Sequence, residues 1–259
     1  MILVHGLSAG YGEKQVLSSV DLEVAKGGFT GVLGPNACGK STLLRVISGV
    51  LPYSAGRVRV GGVEVSETPA RELAKLTATI PQSTEIPFPF TGEELVTMGR
   101  FPHVGRFAPL GEGDRIAIKA ALEDTDTISL AKRLVTEVSG GERQRLVLAR
   151  ALAQGSPLML MDEATAAMDV HRKIDTFDLL TEKNEGGLTV VAVMHDLNLA
   201  ALYCKELLFM KAGEVFAHGP TEEVFTKETV EAVYETPVEL FTHPSTGRPQ
   251  LFFSKRRGR

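Results

Sequence analysis

Three groups of residues have the types and spacing that phosphate chemistry requires. The first is the run Gly34-Pro-Asn-Ala-Cys-Gly-Lys-Ser-Thr42, which matches the pattern G-x-x-x-x-G-K-[ST]. In this pattern backbone N–H groups at a helix start face the phosphates, the lysine adds positive charge, and the serine hydroxyl can bind Mg²⁺. The alternative is a chance glycine-rich turn. The predicted nucleotide contacts are Gly34, Pro35, Asn36, Ala37, Cys38, Gly39, Lys40, Ser41 and Thr42.

The second group is a pair of acids, Asp162 and Glu163, which follows the apolar run 158–161. If that run is a buried strand, both acids lie at its carboxyl end, where α/β sheets bind their ligands. Neighbouring residues on a strand point to opposite sides, so the two carboxylates should have different roles. We expect Asp162 to hold Mg²⁺ and Glu163 to orient and deprotonate an attacking water. Taken alone, such a pair is usually a solvated strand end, and it is the phosphate loop in the same chain that favours the functional interpretation.

The third group is the run Ser139-Gly-Gly-Glu142. A serine followed three residues later by a glutamate is a capping box, and apolar residues continue at helical spacing after it. Two interpretations are open. The stretch is either only a well-capped helix, or a second phosphate-binding helix start at which glycines let a ligand approach the backbone.

Strands and helices alternate along the chain around these groups. Near-continuous apolar runs at 29–33, 158–161 and 188–193 predict buried parallel strands with both faces covered. Between about 87 and 155, prolines and helical patterns such as 114–123 predict an inserted helical segment.

Other segments have the pattern of antiparallel strands. Residues 2–5, 15–24 and 57–65 are rich in β-branched residues with partial alternation. Hairpins are predicted around Ala212-Gly213 and around residues 245–247, where turn residues separate apolar segments.

Composition limits the classes of protein that the chain can belong to. Of its 259 residues 43% are apolar and 23% charged, which allows a core of ordinary size. A net charge of −4 argues against nucleic acid as a partner. Cys38 and Cys204 form neither a disulfide framework nor a CxxC pair, which favours a reducing compartment. Because no signal peptide and no bilayer-spanning run is found, we expect a soluble cytoplasmic protein that needs a partner for any membrane role.

With these motifs in this order, residues 1–235 resemble the ATP-binding cassette (ABC) family, whose signature reads Leu-Ser-Gly-Gly-Gln/Glu. The resemblance implies an α/β fold and an ATPase that uses ATP and Mg²⁺. It implies a P-loop NTPase (RecA-like) core with an antiparallel β subdomain over 1–86 and 155–235. An inserted helical subdomain with the signature motif would occupy 87–154, and a C-terminal extension 236–259.

The same resemblance assigns roles to further residues. Tyr11 would stack on the adenine, and His195 would contact the γ-phosphate. Gln82 would link the γ-phosphate and Mg²⁺ to the helical insertion, and Asp169 would lie in the loop that crosses a dimer interface. The resemblance thus implies Glu163, His195 and Gln82 as catalytic residues and Ser41, Gln82 and Asp162 as metal ligands.

Family members form head-to-tail dimers that enclose two ATP molecules. By resemblance, Ser139, Gly140, Gly141 and Glu142 would contact the nucleotide held by the other subunit of a homodimer. The chain departs modestly from the family pattern at Val138, Ala164 and Met168, and at Ala37, where relatives usually have glycine. If the φ of Ala37 is positive, alanine costs roughly 1–2 kcal/mol there.

The stretch Glu94–His103 resembles ATPases that serve iron-siderophore, haem and vitamin B12 importers. In those relatives a groove receives a helix of an integral membrane permease. The groove lies around the inserted helical segment and the loop that corresponds to the one with Gln82 here. Phe88, Phe90 and Phe101 either line such a groove or form the core of the insertion. We therefore expect a peripheral protein on the cytoplasmic face of the cell (inner) membrane, with a substrate-binding protein as an indirect partner.

Other functions remain open from the sequence alone. The chain could serve another cargo or an exporter, or be a soluble non-transport ABC ATPase. Translation-type members of that soluble group carry two cassettes, and repair-type members carry a long coiled coil between the motifs. This chain has neither feature. An inactive binding module would be expected to lack Glu163 or His195, and both are present.

Overall fold

The computed structural model describes residues 1–83, 86–105, 108–165 and 168–253. The strands are β1 (Ile2–Tyr11), β2 (Lys14–Val24), β3 (Phe29–Leu33), β4 (Ala55–Val60), β5 (Val63–Glu64), β6 (Thr77–Ile80), β7 (Leu158–Asp162), β8 (Thr189–Val193), β9 (Glu206–Lys211), β10 (Glu214–Pro220), β11 (Val238–Thr242) and β12 (Pro249–Phe253). The α-helices are α1 (Lys40–Ile47), α2 (Ala70–Leu76), α3 (Gly92–Thr97), α4 (Glu112–Asp124), α5 (Gly140–Gln154), α6 (Val170–Glu185), α7 (Leu197–Tyr203), α8 (Thr221–Val224) and α9 (Lys227–Tyr234). The chain divides into a first unit, 1–66 with 191–259, and a second unit, 67–190.

The first unit contains an antiparallel sheet with the strand order β2-β1-β4-β5. One expectation for this sheet was wrong, because the predicted strand 57–65 is interrupted. Strand β4 ends at Val60, Gly61 (φ 60°) and Gly62 (φ 90°) make the turn, and β5 returns against β4. Two successive residues with positive φ reverse a strand tightly, and glycine adopts that conformation without a steric cost.

Strands β10, β9 and β3 of the first unit are neighbours in this order, and β8, whose last three residues belong to the first unit, lies next to β3. Strands β3 and β8 are buried along their whole length, as their continuous apolar sequences predicted. Strands β3 and β9 run parallel, and β9 and β10 form the predicted hairpin around Ala212-Gly213. Near the C-terminus β11 and β12 form the second predicted hairpin, with Gly247 (φ 71°) in its turn.

The second unit pairs β6 with β7 in parallel, with Ile80 opposite Met161. All five residues of β7 are buried. Helix α4 confirms the helical pattern predicted for 114–123, and the other helices of this unit are α2, α3, α5 and α6. The two compact units meet at residues 66/67 and 190/191, which are not the predicted limits of the helical subdomain. The limits 87–154 therefore remain a prediction. Within the described ranges, no helix is both long and apolar enough to cross a membrane.

Candidate nucleotide site

The phosphate loop lies between a buried strand and a helix in the first unit. Strand β3 leads into Gly34, and α1 begins at Lys40 with Gly39 (φ 107°) as its N-cap. Gly34 has a φ of 148°, and a Cβ added there would lie 2.2 Å from the carbonyl oxygen of Met210. Only glycine therefore fits at this position, on grounds of both conformation and space.

The side chain of Lys40 is held along the loop. It is buried, and its Nζ donates to the carbonyl oxygens of Gly34 (2.8 Å) and Pro35 (2.9 Å). An ammonium group at the start of a helix adds to the positive potential that the helix dipole already supplies. The loop thus presents backbone N–H groups and one fixed cation, a combination suited to a triphosphate.

Cys38 lies inside the loop and is buried. Burial raises the pKa of its thiol, and the nearby ammonium of Lys40 only partly opposes that effect. The thiol is therefore neutral at physiological pH and adds no negative charge beside bound phosphates. Its backbone carbonyl accepts a hydrogen bond of 3.1 Å from the N–H of Gly213, which ties the loop to the β9–β10 turn.

Ala37 has a φ of 62°, which lies in the left-handed region. An L-residue pays roughly 1–2 kcal/mol for this conformation. We therefore expect Ala37→Gly to raise the free energy of unfolding by about 1 kcal/mol, after allowing for the greater freedom of glycine in the unfolded chain. Denaturant unfolding measures this value. Ala212 (φ 51°) is the matched control, because Ala212→Gly should stabilise the chain similarly at a second left-handed residue. A lower stability of Ala37→Gly would contradict this account of strain.

Tyr11 ends strand β1 and is 43% exposed, so it is not a core aromatic. Its hydroxyl accepts a hydrogen bond of 3.0 Å from Nη1 of Arg45, which is on α1 directly after the phosphate loop. The ring is thereby fixed next to the helix that begins at the loop. Its stacking on adenine remains a prediction.

His195 follows β8 and is exposed. The next residue, Asp196, is the N-cap of α7, and its Oδ1 accepts hydrogen bonds from the N–H groups of Asn198 and Leu199 (3.0 Å each). The histidine is therefore held between a buried strand and a capped helix, which restricts its backbone.

In the second unit, Gln82 and Glu163 come together. Each follows one of the paired strands β6 and β7, and Nε2 of Gln82 donates to Oε2 of Glu163 across 2.6 Å. Glu163 has a φ of 52°, an uncommon value for a residue with a side chain. Such values cluster at functional sites, where the surrounding structure maintains them. The carboxylate is thus held in place both by its backbone and by an amide partner.

The two other acids of the predicted site in this unit, Asp162 and Asp169, have different environments. Asp162 is the last residue of β7 and is buried. Asp169 is exposed and is the N-cap of α6, where its Oδ1 accepts from the N–H of Arg172 at 2.9 Å. This cap accounts for part of the conformation of Asp169, and its role at a dimer interface remains a prediction.

The start of helix α5 has the predicted capping box. The hydroxyl of Ser139 accepts from the N–H of Glu142 (3.2 Å), and Oε2 of Glu142 accepts from the N–H of Ser139 (2.8 Å). Hydrogen bonds from the backbone and hydroxyl of Ser139 lower the pKa of the Glu142 carboxyl. A Cβ added to Gly140 or Gly141 would meet nothing within 4 Å. The helix start is therefore open to an outside ligand.

Two hydrogen bonds near the site were not indicated by any pattern in the sequence. Gln144, on the buried side of α5, donates its amide to the carbonyl oxygen of Ala164 in the loop after β7. Arg45 supports Tyr11 through the hydrogen bond to its hydroxyl. Polar residues inside helical patterns could have marked both positions, but no pattern indicated their partners.

Each unit therefore holds one part of the predicted site. The first unit has the phosphate loop, Tyr11 and His195. The second unit has the Gln82–Glu163 pair, the capped start of α5 and two further acids, Asp162 and Asp169. Action of both parts on one nucleotide stays a prediction.

A phosphate loop between a buried parallel strand and a helix defines a P-loop nucleotide-binding protein. The family model that matches is "ABC transporter", over residues 17–166. The chain belongs to the ABC transporter family, and it is an ATP-binding and ATP-hydrolysing protein of that family.

Similar proteins include two import ATP-binding proteins. The hemin import ATP-binding protein HmuV of Streptomyces coelicolor is 43% identical over 93% of this chain and 86% of that protein. The iron(3+)-hydroxamate import ATP-binding protein FhuC of Bacillus subtilis is 38% identical over 94% of this chain and 91% of that protein. An uncharacterized ABC transporter ATP-binding protein of Bacillus subtilis, YvrA, is 40% identical over 95% of this chain, which spans 56% of its length.

Solved structures agree in fold. An inward-facing structure described as a metal-chelate type ABC transporter has a TM-score of 0.85 and 26% identity, covering 98% of both chains. A dimeric structure of the bacterial ABC transporter cassette MJ0796 has a TM-score of 0.77 and 30% identity, covering 85% of this chain and 99% of that one. The expected α/β fold, with a P-loop NTPase core, an antiparallel β subdomain and helical elements, is confirmed.

Proposed function

We propose that this chain powers the import of an iron-siderophore, haem or cobalamin-type metal chelate through a membrane permease. The observation that carries the proposal is the 43% and 38% identity to a hemin and an iron(3+)-hydroxamate import protein over more than nine-tenths of this chain. The likeness to a metal-chelate type transporter structure adds support. The cargo class rests on these relatives and not on the residues of the site.

Mg²⁺ would bind together with ATP, and the donors on this chain suit it. The hydroxyl of Ser41, the carboxylate of Asp162 and the amide oxygen of Gln82 are the hard oxygen ligands that Mg²⁺ prefers. The amide nitrogen of Gln82 is engaged by Glu163, which leaves its oxygen as the ligand atom. When bound, the ion would neutralise charge on the transferring phosphate.

Glu163 is the general base in this proposal. Its carboxylate accepts a hydrogen bond from Gln82, so the residue that would hold Mg²⁺ also orients the base toward an attacking water. Lys40 and the loop amides would bind the β- and γ-phosphates, His195 would contact the γ-phosphate, and Tyr11 would stack on adenine.

A head-to-tail homodimer would complete each site. The exposed Ser139 and Gly140 begin a capped helix whose N-terminal N–H groups have open space in front of them. Such a helix start binds anions, and the phosphate loop already supplies one for each nucleotide. The second helix start of this chain has a role if it contacts the ATP bound by the partner subunit. In such a dimer each ATP lies between the phosphate loop of one chain and the start of α5 of the other. The dimeric cassette structure of a 30% identical protein supports this arrangement.

A groove of about 570 Å³ on the second unit is the proposed docking site of the permease. Its lining is Phe90, Thr91, Glu93, Glu94, Thr97, Met98 and Phe101. Phe101 is 63% exposed, which would be unusual for a core residue of the insertion. The apolar rings and the exposed carboxylate of Glu93 suit an amphipathic helix that carries both apolar and basic side chains. This subunit would then sit at the cytoplasmic face of the membrane, and a substrate-binding protein would act indirectly.

Phe101→Ala is expected to weaken permease binding roughly 10- to 30-fold, because aromatic anchors in grooves carry much of an interface's free energy. The affinity of the isolated chain for ATP should not change. Pull-down titration with the detergent-solubilised permease measures the first quantity, and a fluorescent ATP analogue measures the second. Phe216→Ala is the matched control, since Phe216 is exposed on β10, outside the groove. Equal permease binding by both variants would count against the groove.

The cargo is tested by reconstitution. If the genes beside this one encode a permease and a binding protein, all three proteins would be placed together in liposomes. Uptake of haem, a ferric hydroxamate and cobalamin would then be compared. ATP-dependent uptake of one chelate, absent with Glu163→Gln, is the expected result. ATP-driven efflux, or ATP hydrolysis with no permease that binds the chain, would favour an exporter or a non-transport ATPase.

A further inference from the structure

Tyr234, at the end of helix α9, contacts the phosphate loop from 200 residues further along the chain. The backbone N–H of Gly34 donates to the Tyr234 hydroxyl oxygen across 2.8 Å. Tyr234 is half-buried, and burial raises the pKa of its hydroxyl to about 12, so the group is neutral at physiological pH. The first residue of the phosphate loop therefore has its N–H satisfied by a side chain that no motif indicated.

The end of α9 is itself fixed to the element that supports the loop. Nζ of Lys211 donates to the carbonyl oxygen of Ala232 (2.7 Å) and pairs with the carboxylate of Glu235 (2.9 Å). Lys211 ends β9, and two residues later the N–H of Gly213 donates to the Cys38 carbonyl. The hydroxyl of Tyr234 and the β9–β10 turn thus belong to one hydrogen-bonded group that contacts the loop at Gly34 and at Cys38.

The same C-terminal segment, residues 227–253, also contacts the helix that follows His195. The side chain of Asn198 accepts from the N–H of Leu251 (2.7 Å) and donates to the carbonyl oxygen of Leu251 (3.1 Å). Asn198 is in the first turn of α7, three residues after His195. The segment therefore has direct hydrogen bonds both to the phosphate loop and to the helix that follows His195.

Gly34 needs such an outside constraint. Its φ of 148° is one of many values open to glycine, and glycine has no side chain whose contacts could select this value. A hydrogen bond from its N–H to a fixed acceptor selects one conformation and so reduces the disorder that nucleotide binding must remove. The carbonyl of the same residue accepts from Lys40, so its orientation also affects where the ammonium lies.

We propose that Tyr234 is a positioning residue for ATP binding, which fixes the first residue of the phosphate loop and thereby the ammonium of Lys40. The inference rests on the proposed role of the loop in binding the β- and γ-phosphates. It makes the C-terminal segment part of the support of the nucleotide site, through the hydrogen bond from Gly34 to Tyr234.

Tyr234→Phe in the full chain tests the proposal, because it removes the hydroxyl and keeps the ring. We expect KM for ATP to rise roughly three- to tenfold with kcat within about twofold, as for the loss of one ground-state hydrogen bond that acts on binding. Tyr53→Phe is the matched control. Its hydroxyl donates to the carboxylate of Glu64 (3.0 Å) and lies within hydrogen-bond distance of the Ser66 hydroxyl (3.1 Å), away from the loop, so its loss should leave KM unchanged.

A second measurement separates positioning from general stabilisation. In glycine-¹⁵N-labelled protein, the Gly34 amide should exchange slowly with solvent in the wild type and several-fold faster in Tyr234→Phe, but not in Tyr53→Phe. Fast exchange of this amide in the wild type would overturn the proposal without any variant. Equal KM values for Tyr234→Phe and wild type would also overturn it.

The experiments distinguish a wrong role for the phosphate loop from a wrong role for Tyr234. If wild type and Lys40→Ala bound ATP equally, the proposed role of the phosphate loop would be wrong. If Lys40→Ala lost ATP affinity while Tyr234→Phe matched the wild type in KM and in Gly34 exchange, only the inference about Tyr234 would be wrong.

Discussion

Glu163→Gln is expected to lower ATP turnover about 10³-fold while ATP binding stays intact. The substitution removes the proton acceptor but keeps a side-chain oxygen that can accept the hydrogen bond from Gln82. The geometry at φ 52° should therefore persist without the base. Phosphate release measures turnover, and a fluorescent nucleotide measures affinity. Because the γ-phosphate then stays in place, the variant should also accumulate as an ATP-bound dimer in analytical ultracentrifugation.

Glu123→Gln is the matched control, because Glu123 is an exposed acid of the same unit on α4, where it pairs with Lys119 across 3.7 Å. It should turn over ATP at the wild-type rate. Turnover by Glu163→Gln within a few-fold of the wild type would remove Glu163 from the role of base. Loss of ATP binding in that variant would instead point to a structural role.

Lys40→Ala is expected to weaken ATP binding about 100-fold, as for truncation of a buried cation that meets an anionic group. The physical reason is that Lys40 is the cation held within the loop, where its Nζ lies against the carbonyl oxygens of Gly34 and Pro35. Removing it takes away the one charged side chain of the loop at residues 34–42. Titration with a fluorescent ATP analogue measures the loss.

The control for this variant is Lys26→Ala, which removes an exposed lysine of the same unit before β3. It should bind ATP normally, apart from a small effect on long-range attraction that salt screens. Thermal unfolding of both variants shows whether each chain is folded. Wild-type affinity in a folded Lys40→Ala protein would contradict the assignment of this loop to phosphate binding.

Most of the fold was predictable because its central strands have simple sequences. Strands β3, β7 and β8 are largely apolar and buried throughout, and a short apolar run between turn residues is typical of a strand covered on both faces. The error at 57–65 has a local cause. The partial alternation over 57–65 is typical of one strand, and the turn at Gly61 and Gly62 lies inside it. Because β5 after this turn has only two residues, it is too short to show a strand pattern of its own.

The candidate site was predictable where motifs are contiguous and not where partners are distant. The helix start at Ser139 and the loop at Gly34–Thr42 follow from local spacing, and the capping box formed as predicted. The hydrogen bonds from Gln82 to Glu163 and from Gly34 to Tyr234 join residues 81 and 200 positions apart. Nothing in one sequence marks such pairs, because they depend on how strands and helices pack.

The left-handed backbone of Glu163 has a consequence for how this chain can be engineered. Holding a residue with a Cβ at φ 52° costs roughly 1–2 kcal/mol, and glycine adopts this conformation without that cost. Thermal stability and turnover therefore favour different residues at position 163. Selection for heat resistance alone would act against the carboxylate, so any library built on this scaffold has to be screened for phosphate release as well.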